Sequence, residues 1–238
     1  LKVRNTFFQF KQFRIDQANA AMKVTTEGAT LGAVVHDSQP LRVLDIGTGT
    51  GLIALMLAQR FSESLIDAIE INESAAKEAL HNFHQSPWKN RLQLIKADIR
   101  DWNVDYTYDL IISNPPFFKD SLKSKNREKN TAIHDDYLSA IDLVQAGVKY
   151  LKLNGQMTVM YPEFESEKFK KIATAEGLNC THQVDLYDNP DASMLRRITT
   201  FQKTRQSLKT GKLIIKSEKG GSYTSEFIQL LKPFYLYL

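Results

Sequence analysis

The apolar run Leu41-Arg42-Val43-Leu44 leads directly into Asp45-Ile46-Gly47-Thr48-Gly49-Thr50-Gly51. Three glycines at alternate positions let the backbone leave an extended strand, turn sharply and enter a helix, and they let it approach a ligand closely. A strand followed by such a turn and a helix belongs to alternating α/β architecture, because the helix must pack back on the sheet. The spacing Gly-x-Gly-x-Gly differs from the Gly-x-Gly-x-x-Gly dinucleotide fingerprint. It also lacks the Gly-Lys-Ser/Thr end of a nucleotide-phosphate loop. The ligand at this turn therefore need carry no phosphate.

The rest of the chain repeats the alternation. Strand candidates are residues 42–45, 65–69, 92–95, 108–113, 156–161, 180–186 and 197–202. One helix over 51–61 carries Leu52, Leu55, Met56 and Phe61 on one side, and a second, capped by Asn72, carries Ala76, Ala79, Leu80 and Phe83. A third, at about 136–151, shows Leu138, Ile141, Val144, Val148 and Leu151. Near the end, 212–216 reads as a short strand and 225–231 as a helix before Pro233. The pattern predicts an α/β fold with a mostly parallel seven-stranded sheet and helices on both faces, a three-layer sandwich. At 238 residues, with 42% hydrophobic and 24% charged content, the chain can bury one full core. The division expected is an extension over 1–36, a core over 37–204 and a C-terminal appendage over 205–238, all within one domain.

Ligands of such sheets bind at the carboxyl ends of the strands, near the point where strand order reverses. Four strand ends then carry chemistry. About 20 residues beyond the glycine loop, Glu70 closes the run Leu65-Ile66-Asp67-Ala68-Ile69, where an acid can take both hydroxyls of a ribose. Asp98 follows Leu92-Gln93-Leu94-Ile95 and can accept from an adenine amino group. Either acid alone would read as a helix cap or solvated turn. In this order they describe a ligand made of an amino acid and an adenosine. Asn114-Pro115-Pro116-Phe117 closes the run from Tyr108 to Ser113. An exocyclic amine or amide nitrogen shares its lone pair with a conjugated system and is a poor nucleophile. The Asn114 side-chain oxygen and the Pro115 carbonyl can each accept one of its N–H groups and localise that lone pair without a strong base. Consecutive prolines fix two φ angles and so hold the carbonyl in place, while Phe117 offers a ring on which a planar acceptor can stack. Taken alone, Pro115-Pro116 could simply end a buried strand, with Phe117 in the core. The glycine loop ahead of it favours the chemical reading.

With these motifs the chain resembles the class I S-adenosylmethionine-dependent N-methyltransferases, which share the Rossmann-like fold and an Asn-Pro-Pro-Phe/Tyr tetrapeptide. The segment Ala21-Met22-Lys23-Val24-Thr25-Thr26-Glu27-Gly28-Ala29-Thr30-Leu31-Gly32 is similar to the N-terminal signature of the bacterial tRNA1(Val) (adenine(37)-N6)-methyltransferase family. Thr25 departs from that pattern, in which glycine is common, and no role is carried onto it. The resemblance implies S-adenosylmethionine as cofactor, bound by Asp45, Gly47, Thr48, Gly49, Gly51, Glu70, Asp98 and Ile99 together with Asn114. It places Lys23, Thr26 and Gly28 near the methionine end. Catalysis would rest on Asn114, Pro115, Pro116 and Phe117, with the methyl group displaced in line onto the nitrogen they hold. The resemblance also implies that the last strand, near 197–202, runs antiparallel.

Charge distribution points to the substrate. The net charge is +4, and Arg196, Arg197, Lys203, Arg205, Lys209, Lys212, Lys216 and Lys219 face only Glu218 between 196 and 219. A second basic cluster, Lys119, Lys123, Lys125, Arg127 and Lys129, follows the tetrapeptide within a polar segment expected to be a mobile loop. Lys2, Arg4, Lys11 and Arg14 interleave with Phe7, Phe8, Phe10 and Phe13, whose rings are expected to pack rather than stack on bases. Three basic segments around one acceptor site suit a polyanion whose phosphates position it while a pocket reads one base. The expected partner is tRNA, through its anticodon stem-loop, with the protein acting as a monomer. Acceptors that need the same hydrogen bonds, guanine N2 of ribosomal RNA or a glutamine amide of a protein, remain open. So does a non-catalytic RNA-binding protein that keeps the fold.

His81 and His84 share a helix face without a completing carboxylate-histidine pattern, so no metal is expected. Cys180 is the only cysteine, which fits a reducing cytoplasm. No stretch is long and apolar enough for a membrane span. The opening Leu1-Lys2-Val3-Arg4-Asn5 carries neither a methionine nor a secretory hydrophobic region, so the sequence is expected to begin a few residues into the natural chain.

Overall fold

A computed structural model of the chain describes residues 5–18, 22–35, 39–116 and 138–238. Phe117, the basic segment 119–130, Lys2 and Arg4 lie outside the described residues.

A short antiparallel hairpin, β1 (Phe7–Gln9) and β2 (Arg14–Asp16), precedes helix α1 (Thr26–Val34). Next come β3 (Arg42–Ile46), α2 (Leu52–Arg60), β4 (Leu65–Glu70), α3 (Glu73–Gln85), β5 (Leu92–Lys96) and β6 (Tyr108–Ser113). The second half adds α4 (Ala140–Tyr150), β7 (Leu151–Tyr161), α5 (Glu163–Ala175), β8 (Asn179–Tyr187), β9 (Met194–Gln202), β10 (Lys209–Ile214) and α6 (Ser225–Leu231). Spatial order across the main sheet is β10-β8-β9-β7-β6-β3-β4-β5. Only β9 runs antiparallel to its neighbours. The sheet thus has eight strands where the sequence pattern counted seven. The eighth is β10, whose one-sided pattern of exposed Lys209 to Lys212 before buried Leu213 is that of an edge strand.

Residues alternate between two faces, as a strand's period of two requires. Leu110 and Ile112 of β6 join a cluster with α1, α2 and α3, whereas Ile111 joins a second with Leu143 of α4 and Phe169 of α5. Helices therefore cover both faces. Local chemistry sets their starts. Thr25 Oγ1 accepts from Gly28 N at 3.0 Å at the head of α1, and Asn72 Oδ1 from Ala75 N at 3.0 Å at the head of α3. Ser139 and Asp142 form a reciprocal capping box on α4. Strand β7 begins at Leu151, earlier than the apolar pattern from 156 suggested. Between Tyr108 and Leu110 its register with β6 shifts, and a Cβ on Gly155 would lie 2.9 Å from the Tyr108 carbonyl oxygen.

Of the N-terminal phenylalanines, Phe8, Phe10 and Phe13 pack against the core as expected, whereas Phe7 stays exposed. Phe10 and Phe13 are buried and stacked with centroids 4.5 Å apart, and Lys11 N donates to Phe234 O at 2.7 Å, so the hairpin clasps the C-terminal tail. Asp67, an acid inside an otherwise apolar run, is satisfied by the phenols of Tyr108 at 2.6 Å and Tyr106 at 3.1 Å. Burial and that carboxylate push the Tyr108 hydroxyl well above its ordinary pKa. Among the described residues, no helix is long and apolar enough to cross a membrane.

Candidate active site

The parallel strands β3, β4 and β6 bring three chain turns to one edge of the sheet. Strand β3 is followed in sequence by β4 and β5 on one side, while β6 returns on its other side. The gap between the turns after β3 and β6 is thus a topological switch point. Ser113 Oγ donates to Ile46 O at 2.7 Å and locks these two strand ends together.

The glycine loop is held from beneath by backbone bonds, Gly47 N and Thr48 N both donating to Ile69 O at 2.9 and 3.1 Å. Gly47 and Gly49 have φ of 72° and 58°, and a Cβ on either would meet nothing within 4 Å, so both line open space. Gly51 is different. Its φ is 84° and a Cβ there would lie 2.5 Å from Phe83, so this glycine serves close packing against α3. Asn82 of α3, buried to 1% exposure, donates to Thr50 O at 2.9 Å and to Asp16 O at 3.0 Å, and accepts from Asp16 N at 2.9 Å. It ties the loop to the N-terminal hairpin. Sequence reasoning passed over Asn82; the signal was a polar residue within the apolar stripe of Ala79 and Phe83.

Asp45 is fully buried, with one oxygen accepting from Thr48 Oγ1 at 2.6 Å and the other, Oδ1, without a hydrogen-bond partner among the described residues. Burial pushes its carboxyl up to about 7, against the opposing pull of the Thr48 hydrogen bond. Glu70, at the end of β4, accepts from Gly49 N at 2.9 Å through Oε2 and from Asn72 N at 2.8 Å through Oε1. Each oxygen retains a further lone pair for hydroxyl donors. Asp98 sits in the turn after β5, where Arg100 Nε donates to Oδ1 at 3.0 Å and to Oδ2 at 2.9 Å, and Nη2 donates to Oδ2 at 2.6 Å. That guanidinium holds the Asp98 carboxyl below the usual carboxylate range. Ile99 beside it is buried.

Asn114 follows β6, with Pro115 buried and Pro116 exposed. Helix α1 places Gly28 against it, where a Cβ would lie 3.9 Å from Asn114 Nδ2 and 3.3 Å from Thr25 Oγ1. Asp45, Gly47, Thr48, Gly49, Gly51, Glu70, Gly28 and Asn114 therefore gather at neighbouring strand ends, with Asp98 and Ile99 following the adjacent β5. Two further expected residues have contacts of their own. Lys23 is exposed and donates to Asn5 O at 2.9 Å, and Thr26 lines a separate cleft on the far side of α1. Thr25, which took no role from the pattern, caps α1.

The basic segment near the C terminus divides. Arg197 is buried in an ion-pair cluster, 2.6 Å from Asp185 and 2.7 Å from Glu167, and Lys203 donates to Leu151 O at 2.6 Å. These two are structural. Arg205, Lys209, Lys212 and Lys219 stay exposed. His81 pairs with Asp16 at 3.2 Å on the protein surface.

Residues 28–175 match the family model described as the methyltransferase small domain. The tRNA1(Val) (adenine(37)-N6)-methyltransferase of Bacteroides fragilis is 42% identical, the match covering 97% of this chain and 98% of the relative. The enzyme of the same name from Cytophaga hutchinsonii is 40% identical over 98% and 99% of the two chains. Among solved structures, a predicted O-methyltransferase of Agrobacterium tumefaciens superposes with a TM-score of 0.64 at 17% identity, covering 87% of this chain and 95% of that one. At that identity the likeness speaks to the fold.

Proposed function

We propose, since the chain belongs to the tRNA1(Val) (adenine(37)-N6)-methyltransferase family within the methyltransferase small-domain proteins, that it methylates the N6 amine of adenine 37 in a tRNA anticodon loop. It is an S-adenosylmethionine-dependent N-methyltransferase of class I, Rossmann-like fold. When bound, S-adenosylmethionine supplies an electrophilic methyl group on a sulfonium.

The residues present fit that cofactor. Gly47 and Gly49 offer an open backbone cradle, and Glu70 keeps lone pairs for the ribose hydroxyls. The orphaned Oδ1 of Asp45 lies beneath the same loop, where a donor from the methionine part, directly or through water, would satisfy it. Asp98, oriented by Arg100, is the acceptor for the adenine amine, with Ile99 against the ring. We assign Gly28 to the methionine end on its approach to Asn114, and leave Lys23 and Thr26 without that role.

The observation that carries the acceptor chemistry is the position of Asn114 and Pro115 at the switch point beside this cradle, with β6 anchored to β3 by Ser113. The Asn114 oxygen and the Pro115 carbonyl accept the two N–H groups of the target amine, aligning its lone pair; the stacking role is assigned to Phe117, which lies outside the described residues. Unstacking the adenine costs a few kcal/mol, which contacts from exposed Arg205, Lys212 and Lys219 to tRNA phosphates offset. Cys180, unpaired, suits a reducing cytoplasm.

The test is incubation with methyl-labelled S-adenosylmethionine and unmodified total RNA, followed by nucleoside mass spectrometry. N6-methyladenosine confined to tRNA is expected; labelled N2-methylguanosine, or label in protein, overturns the reading. Asn114→Ala should lower the transfer rate about 10²- to 10³-fold under saturating cofactor, and unaltered transfer would remove Asn114 from the mechanism.

A further inference from the structure

A second cleft, of about 290 Å³, opens along the same sheet edge. The carboxyl ends of β8 and β10 and the start of β9 reach that edge together, because β8 and β10 run parallel to β7 and β9 runs against them. Asp188 follows β8, Leu195 lies at the start of β9, and Ile215, Lys216 and Tyr223 come from the segment after β10. The remaining wall is Thr26 and Glu27, in the first turn of α1. Gly28 in that same turn faces Asn114. The cleft and the acceptor position are thus separated by one helical turn.

The lining has the chemistry of a nucleobase site. Leu195 and buried Ile215 supply an apolar floor. Tyr223 rests on Phe227 with centroids 5.0 Å apart and keeps 40% of its surface exposed, a supported ring at the mouth. Two carboxylates offer acceptors for the N–H edge of a base, and neither leaves a net negative charge to repel RNA. Asp188 pairs with Lys216 at 3.0 Å, and Glu27 lies 3.8 Å from Arg196. Clefts that hold small planar ligands begin at roughly 300 Å³ and combine apolar walls with a few convergent polar groups.

We infer that this cleft receives a second base of the same anticodon loop, one next to the methylated adenine, stacked on Tyr223 and read through its N–H groups by Glu27 and Asp188. The inference rests on the proposed tRNA substrate. A loop whose target adenine is turned out toward Asn114 exposes its neighbour, and a site one helical turn away captures it. The second base then fixes the register of the loop on the protein, which the acceptor position alone, reading only an amine, does not do.

The experiment is a cycle between protein and RNA. Methyl transfer is measured on an anticodon stem-loop and on versions abasic at each loop position flanking the target, with the wild type, Tyr223→Ala and Tyr223→Phe. Loss of the stacking ring should raise KM for the stem-loop about tenfold, with cofactor affinity unchanged as the check on folding, and Tyr223→Phe should retain the wild-type KM. One abasic substitution should produce the same loss in the wild type and no further loss in Tyr223→Ala. Glu27→Gln should lower KM discrimination among bases at that one position. Losses that multiply at every position overturn the second-base site while leaving the methyltransferase reading intact. A wild type that methylates no stem-loop overturns the reading on which the site depends.

Discussion

The β3–β4–β5 side of the sheet and the β7–β10 side arrive at the same edge by different means. On the first side each functional residue lies within two or three positions of the end of its strand, and adjacent strands are close in sequence. Gly47 and Gly49 act with their backbones, and Glu70 reaches the loop across one β–α–β unit, at 2.9 Å from Gly49 N. On the second side the cleft takes its walls from α1, β8, β9 and the segment after β10, which meet only because distant strands pair. Its charges are spent on neighbours: Arg197 on Asp185 and Glu167, Lys216 on Asp188. A site made from consecutive strand ends writes a motif into the chain, whereas one assembled by long-range pairing does not.

Glycine substitutions sharpen the contrast. Gly51→Ala places a methyl group 2.5 Å from Phe83 at a φ of 84°, and should cost about 3 kcal/mol in urea unfolding while weakening the cofactor site. A loss under ~1 kcal/mol would show that α3 yields and that the loop is less tightly built than its contacts imply. The Asp45 carboxyl gives a smaller, pH-dependent effect. Its folded value, about 7, lies above that of an unfolded carboxyl. The folded chain therefore keeps a proton that the unfolded chain has shed, and this contribution to stability falls as pH rises from about 4 to 7 and is level above. Asp45→Asn removes the slope, so the variant should gain about 1 kcal/mol on the wild type between pH 5 and pH 6; an opposite trend would mean that the folded carboxyl is charged. On the other side of the sheet Gly211→Ala meets only Val184, at 3.9 Å, in an edge strand of ordinary φ. It should change stability by no more than about 0.5 kcal/mol, in the stabilising direction. A loss comparable with that at Gly51 would erase the distinction between the two sides.

Much of the first side was legible before any coordinates. The strand expected at 65–69 is Leu65–Glu70, that at 108–113 is Tyr108–Ser113, and Asn72 caps α3. Buried parallel strands are continuous apolar runs, and a cap is a local hydrogen bond, so both can be read along the chain. The final helix, Ser225–Leu231, was equally clear from its place before Pro233. Partners supplied from far away were not. Nothing local says that Asn82 reaches Thr50 and Asp16, that Tyr108 satisfies Asp67, or that Arg197 in a basic run is buried among acids. The hairpin β1–β2 was hidden because its phenylalanines face two environments, Phe10 in the core and Phe7 under the Arg14 guanidinium at 3.8 Å. The cleft that Thr26 lines was equally hidden, since its other walls come from residues 188–223, far along the chain.

The parallel pairing of β10 with β8 imposes an order in time. A chain is made from its amino end, and residues 42–114, which hold the glycine loop and Asn114, can close their sheet before Lys209 exists. Strand β10 must wait for β8 and β9 to pair, and Tyr223 must wait for β10. Pulse-labelled hydrogen exchange during refolding should protect the amides of β3 and β6 ahead of those of β10; simultaneous protection would contradict the sequence of events. During synthesis the strands that carry the glycine loop and Asn114 are thus all made before the last wall of the second cleft, Tyr223, emerges.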